Sequence, residues 1–287
     1  MALLVLPPSL GAAKAEARAE HLAAVLTREL ERTIDVVVCG SYAELRSSIE
    51  SGAAALAWAP AAVCAELASG EGRGVVQSVH TIVRSGRSRY RSAILARRAD
   101  RLTLVELGGK RAAWVDPLSA GGYLLAMALL RSRAIDPAAK LGTQRFLGSH
   151  RAVVEALLHE TADIGAVSVH GLDDEAVAAS IRWYVGAPGD RLEPLAISAS
   201  CPNDAIVLTT RAGSELRERF VERFVDPGTR AKKSASGEHA RWSSAASSLM
   251  QALEGERLET TDLAEYVAAF EDLATTGAKR PSRAPGA

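Results

Sequence analysis

The sequence predicts an α/β protein, and three observations support this class. Short apolar runs alternate with amphipathic, helix-like stretches through the first two thirds of the 287 residues. The runs ALLVL, IDVVVCG and GVVQSVHTIV have the length and the β-branched content of buried strands. Helix-like stretches such as YAELRSSIE separate them, and Gly52 follows that stretch as a C-cap. This rhythm is typical of a sheet covered by helices.

The predicted elements follow one another in chain order. ALLVL is the first strand, and a helix over about 15–31 follows it. The remaining predicted strands are IDVVVCG, AALAWA, GVVQSVHTIVRS, RYRSAILAR, GKRAAWVD, DIGAVSV and CPNDAIVLTT, with helices at YAELRSSIESG, VCAELAS and HRAVVEALLHETA. From about Ser214 the chain is predicted to be helical, with a mobile loop at 226–248 and a disordered tail at 275–287.

Composition narrows the class of function. Hydrophobic residues make up 48% and charged residues 24%, and 34 Lys+Arg balance 34 Asp+Glu, as in a soluble globular protein. A nucleic-acid binder would carry a basic excess. The three cysteines form no CxxC pair, so neither a disulfide framework nor a metal site is expected, and no cofactor is predicted.

The amino-terminal apolar run ends after Leu6 and has no basic residues before it. It is too short for a signal peptide or a membrane span. The sequence as written therefore predicts a cytoplasmic protein with no insertion into a membrane. A periplasmic location is expected if a native export signal is missing from the sequence.

The stretch WVDPLSAGGYLLAM carries Ser119 and two glycines where a strand passes into a helix. Small residues suit a tight turn, and they also let an anion reach the N–H groups of a helix start. The segment GSH at 148–150 has the same character, with a serine that can cap a helix and a histidine that can donate to an oxyanion. The two segments would form one anion pocket only if the fold brings them together.

Other patterns are less specific. In GRSRYRSAIL an extended chain would place Tyr90 and its neighbouring serines on one side, where they could line a cleft. The arginines would then lie on the other side, as a solvated edge or a phosphate-binding surface. There is no P-loop and no G-x-S-x-G elbow, and the histidines lack the spacing of metal ligands.

The ordered set SYAEL, AWAP, RYRSAIL, WVDPLSAGGYL, FLGSH, ADIGAV and CPNDAIV resembles the phosphonate-binding members of the type II periplasmic binding proteins. These are the solute receptors of phosphate, phosphite and phosphonate ABC transporters. The resemblance covers about 1–225 and implies a bilobal α/β architecture with ligand in a cleft between lobes. It implies one lobe from 1–98 and 204–274 and a second from 99–203, with the disordered tail at 275–287 following them.

The resemblance also implies the ligand-binding residues. They are Tyr42, Tyr90, Ser119, Ala120, Gly121, Gly122, His150 and Asp204. Trp58, Trp114 and His170 are possible lining residues of the cleft, although the two tryptophans fit a core position better. The sequence departs from the family pattern at Ala120 and Gly121, where hydroxyls are lost, and at His170, where an acidic residue would hold an aminophosphonate.

Three functions follow from this reading. The first is binding of a small anion for an ABC transporter permease, without catalysis. The second is a cytoplasmic sensor on the same fold with a signalling partner. The third is a cleft enzyme of the chorismate-dehydratase type, for which His150 and Asp204 are the available acid/base groups. The first is expected and the enzyme is ranked last.

Overall fold

The structure, a computed structural model, describes residues 1–8, 12–84, 86–171, 173–225 and 238–275. Within these ranges the chain divides into two compact units. Unit one contains Met1–Tyr90 and Cys201–Val267, and unit two contains Arg91–Ser200 together with the helical residues from Ala268 onward. The boundaries at 90 and 201 differ from the expected 98 and 204, because the strand RYRSAILAR starts in unit one and continues into unit two.

The described strands and helices, in chain order, have the following bounds. The strands are β1 (Ala2–Leu6), β2 (Ile34–Val38), β3 (Leu56–Ala59), β4 (Val76–Val83), β5 (Arg89–Arg97), β6 (Ala112–Trp114), β7 (Gln144–Phe146), β8 (Ile164–Val169), β9 (Leu192–Ile197), β10 (Cys201–Pro202), β11 (Ala205–Thr209) and β12 (Arg257–Thr260). The helices are α1 (Ala12–Leu30), α2 (Tyr42–Glu50), α3 (Ala61–Ser69), α4 (Leu125–Ser132), α5 (Pro137–Lys140), α6 (His150–Leu158), α7 (Asp174–Val185), α8 (Gly213–Phe220), α9 (Glu238–Leu253) and α10 (Leu263–Thr275).

Unit one is built on a mixed sheet with the strand order β12-β4-β11-β3-β1-β2. Strand β1 pairs in parallel with β2 and β3, as expected for a β-α-β sequence. Strand β11 lies antiparallel between β3 and β4. The core packs the apolar faces of α1, α8 and α9 on this sheet, with Leu4, Leu26, Phe220 and Leu253 almost wholly buried.

Unit two has a smaller sheet around β5. Strand β8 pairs antiparallel with β5 and parallel with β6, and β7 follows β6 in parallel. Strand β9 pairs with the other side of β5. Apolar residues pack on both faces of the sheet, with Val153, Leu157 and Ile181 on one side and Leu130 and Trp114 on the other.

Strands β7, β9 and β12 and helix α7 were not predicted from the sequence, and β12 lies in a stretch that was predicted to be helical. Strand β7 was not predicted, because all three of its residues are exposed and show no buried alternation. Helix α7 occupies the stretch that was left unassigned around RWYV. Residues 238–248 of the predicted loop belong to helix α9, whereas 226–237 and the tail at 276–287 lie outside the described residues.

Among the described residues, no helix combines the length and the apolar character needed to cross a membrane.

Candidate functional site

The candidate site residues of unit two, which are the predicted anion-binding residues and the possible lining residue His170, follow three neighbouring parallel strands. Ser119 comes after β6, His150 comes after β7, and His170 comes directly after β8. Because β6 pairs with both other strands in parallel, their carboxyl ends meet at one edge of the sheet. Open α/β sheets bind ligands at this edge.

Val115 joins the two loops that leave this edge. Its backbone N–H donates to the carbonyl of Gly122 at 3.2 Å, and its carbonyl accepts from Gly148 N–H at 2.8 Å. A further bond, from Leu147 N–H to the carbonyl of Trp114, measures 2.8 Å. The two segments that the sequence analysis singled out are therefore held side by side at the end of one strand.

The first segment opens on a capped helix start. Ser119 is the N-cap, and its Oγ accepts the N–H of Gly122 at 3.1 Å. The next residues, Ala120–Leu124, form a π-helical turn before α4 begins. This corrects one expectation, because Gly122 N–H is bonded inside the protein and is not available to a ligand. The Ser119 hydroxyl keeps its own hydrogen for donation.

The two glycines of this segment serve different purposes. A Cβ on Gly122 would lie 2.2 Å from Cγ2 of Val115, so the close approach of helix and strand requires glycine there. Gly121 presents its carbonyl to the hydroxyl of Ser92 on β5 at 2.7 Å. Ser92 is wholly buried, so this bond ties the helix start to the middle of the sheet.

His150 begins α6 behind the N-cap Ser149, whose Oγ accepts from Ala152 N–H. Nδ1 of His150 accepts the backbone N–H of Ser168 at 3.3 Å. Burial, with a smaller contribution from His170, lowers the pKa of His150 to about 4. The imidazole is therefore neutral at pH 7.

The ring of His150 lies against Tyr184 of α7. The two rings are stacked, with centroids 5.5 Å apart and planes at 21°. The Tyr184 hydroxyl donates to the carbonyl of Ser168 at 2.9 Å and lies 2.7 Å from the Ser168 hydroxyl. The exposed indole of Trp183 packs edge-on against Tyr184.

Two of the possible lining residues have structural partners in unit two. The backbone N–H of His170 donates to the Ser180 hydroxyl at 3.0 Å. Trp114 is wholly buried in the core, and its indole N–H donates to Gln144 at 2.9 Å. Trp114 is thus a core residue and is removed from the candidate site.

Unit one holds the remaining candidates in a separate cluster. Tyr42 is the first residue of α2, which Ser41 caps, and Tyr90 pairs with Cys201 across β5 and β10. Both tyrosine side chains are buried and interact electrostatically with one another. Burial, with contributions from Cys201 and Asp204, raises the pKa of Tyr90 well above its ordinary value. The prediction that Tyr90 lines a cleft therefore applies to a side chain that is only 7% exposed.

Asp204 lies just before β11, beside the end of β3. Its Oδ2 accepts the indole N–H of Trp58 at 3.3 Å and lies 3.8 Å from a guanidinium nitrogen of Arg84. Trp58 is 2% exposed and belongs to the core, where its indole N–H holds the Asp204 carboxylate.

Four residues of this site were missed or underrated from sequence. The alternation in RYRSAIL placed Ser92 on the same side as Tyr90, which was a usable signal for Ser92. Val115, Ser168 and Tyr184 gave none, because their roles come from contacts between segments far apart in the chain. In the described part of the chain, no group of three or more His, Cys, Asp and Glu side chains is arranged to hold a metal ion.

Comparisons with known proteins bear on the family and the fold. The sequence profile of the family described as "ABC transporter, phosphonate, periplasmic substrate-binding protein" matches residues 4–266. A search of curated proteins finds no match.

Solved structures show the same fold. PhnD1 from Prochlorococcus marinus, in complex with methylphosphonate, superposes with a TM-score of 0.73 at 13% identity, over 96% of this chain and 97% of that chain. A binding protein component of an ABC phosphonate transporter from Pseudomonas aeruginosa gives 0.72 at 15% identity, over 96% and 89% of the two chains. A Xanthomonas citri protein bound to ATP gives 0.69 at 16% identity, over 96% and 99%.

Proposed function

The chain belongs to the family of periplasmic substrate-binding proteins of phosphonate ABC transporters, and from this premise we propose that unit two binds a small phosphonate-type oxyanion. Members of the family and the similar solved structures are substrate-binding proteins and not enzymes. The observation that carries the proposal is Val115, which holds the capped helix start and the His150 loop side by side. We propose that the oxyanion binds between these two loops.

The proposed donors are neutral groups aimed at a negative charge. They are the hydroxyl of Ser119, the backbone N–H of Gly121 and Nε2–H of His150. Hydrogen bonds from neutral donors to an oxyanion are short and strong, and the positive end of a helix adds to them. A neutral imidazole at pH 7 fits this role, because it donates without bringing a proton that the anion could take.

The substituent of the ligand is proposed to be uncharged. Ala120 and Gly121 supply no hydroxyl, and His170 stands where the family resemblance would place an acidic residue. A buried ammonium without a carboxylate partner costs several kcal/mol. The complex of the Prochlorococcus marinus protein with methylphosphonate supports the choice of a simple alkylphosphonate as the first ligand to test. The contributions of Tyr42, Tyr90 and Asp204 to the same ligand stay predictions.

The test is a thermal-shift panel with methylphosphonate, aminoethylphosphonate, phosphite, phosphate, sulfate and small carboxylates, followed by calorimetry. A ligand at 100 times its Kd stabilises a protein by about 2.7 kcal/mol, which corresponds to a melting shift of roughly 5–10 °C at this length. We expect methylphosphonate to give such a shift, and Ser119→Ala and His150→Gln to abolish it.

Ser132→Ala is the control, because it also removes a serine hydroxyl, one that donates to the backbone carbonyl of Leu129 at the far end of α4. A panel without any shift, or a shift that survives both site variants, would contradict the proposal.

The partner of a receptor in this family is the permease of an ABC transporter. A receptor of that kind has to be exported to meet its transporter, so we propose a periplasmic site of action. Cell fractionation of the native gene product measures this directly. Retention in the cytosol would instead favour the sensor function that the sequence analysis kept as an alternative.

A further inference from the structure

His150 is useful as an oxyanion donor only if its proton is held on one defined ring nitrogen. A neutral imidazole carries a single N–H, on either Nδ1 or Nε2, and free histidine exchanges between the two forms. The neighbours that select one form are therefore part of the donor. In unit two these neighbours come from β8 and α7.

The first neighbour is a backbone group. The peptide N–H of Ser168 can only donate, so Nδ1 of His150 has to present its lone pair to it. This contact places the ring proton on Nε2.

The second neighbour keeps Ser168 in place. The Tyr184 hydroxyl donates to the Ser168 carbonyl at 2.9 Å, so the hydroxyl of Ser168, 2.7 Å away, has to donate back to Tyr184. The ring of the same tyrosine stacks on the imidazole. One side chain thus constrains both the peptide that faces Nδ1 and the plane of the ring.

We propose that Tyr184 and Ser168 are positioning residues that fix His150 as its Nε2–H tautomer and direct this N–H to the oxyanion. The identity of the acceptor, an oxyanion, rests on the proposed function. The tautomer of His150 does not depend on the proposed function, because it is a property of the ligand-free protein.

The first measurement is the tautomer of His150 in the ligand-free protein at pH 7, from long-range ¹H–¹⁵N NMR spectra. We expect the Nε2–H form in the wild type and a mixture of both forms in Tyr184→Phe and Ser168→Ala. Ser168→Thr keeps a hydroxyl and should restore the wild-type form. Tyr266→Phe is the matched control, because it too removes a tyrosine hydroxyl that is bonded to a backbone carbonyl and to another hydroxyl, in this case in unit one. It should leave the tautomer of His150 unchanged.

The second measurement is calorimetry with methylphosphonate on the same variants. We expect Tyr184→Phe and Ser168→Ala to weaken binding about 5- to 20-fold, and Ser168→Thr and Tyr266→Phe to stay within about twofold of the wild type. A wild-type Nδ1–H form, or a Tyr184→Phe variant with unchanged tautomer and affinity, would overturn the inference. Failure of the wild type to bind phosphonate would count against the proposed function alone, since the NMR measurement still decides the tautomer.

Discussion

At Gly122, a single methyl group decides whether the helix start can lie against β6. Ala at this position would place Cβ 2.2 Å from Val115 Cγ2 and 2.4 Å from its Cβ. We expect Gly122→Ala to lower the free energy of unfolding by about 1–3 kcal/mol, the usual cost of overpacking. Urea unfolding measures it. Gly74→Ala is the control, since a Cβ on Gly74 meets nothing within 4 Å, and equal losses in both variants would contradict the steric explanation.

Two histidines with lowered pKa values predict how stability depends on pH. Burial lowers the pKa of His80 from 6.5 to about 4, and that of His150 to the same level. At pH values well above 6.5 both rings are neutral in the folded and unfolded states. As the pH falls from 6.5 toward 4, the two histidines become protonated in the unfolded chain but stay neutral in the folded protein. The free energy of unfolding therefore decreases.

For His80, this difference amounts to about 2 kcal/mol between pH 7 and pH 5. His80→Gln should therefore lose less stability than the wild type over that interval, as measured by urea midpoints at both pH values. His159→Gln, at an exposed position, should keep the wild-type dependence. An unchanged pH dependence in His80→Gln would show that His80 titrates normally in the folded protein.

Some residues of the candidate site could be predicted from the sequence and others could not. Ser119 and His150 could be found because capping serines and small residues mark helix starts locally in the chain. The role of Gly122 could not, because it depends on Val115, which approaches it only after the strand and helix pack. The Tyr184–Ser168 contact likewise joins α7 to β8.

At the scale of elements, β5 positions the helix start through Ser92. Ser92→Ala removes the buried bond to the Gly121 carbonyl and leaves that carbonyl without its partner, at a cost of about 1–3 kcal/mol. We expect weaker methylphosphonate binding by about tenfold in calorimetry, because the helix start loses its attachment to the sheet. Ser132→Ala again serves as the comparison, and equal affinities of the two variants would argue against the attachment.

Strand β5 is itself anchored to its neighbours by Arg97. One guanidinium nitrogen of Arg97 donates to the carbonyls of Leu157 and Ala162 at 2.8 and 2.7 Å, and the other pairs with Asp100 at 2.6 Å. Arg97→Met should lower the free energy of unfolding by about 3 kcal/mol, because it leaves buried carbonyls and a carboxylate without partners.

The adjacent Arg98→Met is the natural comparison for Arg97→Met. The Arg98 side chain is 56% exposed, and exposed ion pairs contribute about 0–1 kcal/mol. Urea unfolding of both variants gives the two values. A loss from Arg97→Met no larger than that from Arg98→Met would remove the anchoring role.

The elements that sequence predicted best are the buried ones. Strands β1, β3 and β11 are apolar runs bounded by turn residues, so their pattern shows directly in the chain. Strand β7 has only exposed residues, and its identity depends on pairing with β6. The same difference holds for the candidate site. Its capped turns can be recognised from neighbouring residues in the chain, whereas the contacts that hold them join segments far apart in the chain.

At the scale of the whole molecule, most of unit two, Arg91–Ser200, is inserted in the chain of unit one. The chain leaves unit one after Tyr90 and returns at Cys201, and these two residues are direct partners in an antiparallel pair. Their Cα atoms are therefore only about 4.5–5.5 Å apart. A two-residue Asn-Gly turn is long enough to join them.

We expect a chain in which this turn replaces 91–200 to fold, since unit one keeps all six strands of its sheet. Circular dichroism and a cooperative urea transition would show it. The complementary chain, 91–200 alone, retains Ser119 and His150 and should still bind methylphosphonate, as proposed for unit two. A non-cooperative transition for the first chain would show that the units depend on one another for stability.

Val115 has a mechanical consequence for selectivity. Because one residue bonds both loops through its own N–H and carbonyl, the spacing of the two loops is set by the covalent dimensions of that residue. The distance between the two loops can increase only if one of these bonds breaks or the end of β6 bends. If the oxyanion binds between these loops as proposed, a larger tetrahedral oxyanion has to strain the two loops in order to fit. The ratio of methylphosphonate to methylarsonate affinity therefore measures how rigid the spacing of the loops is.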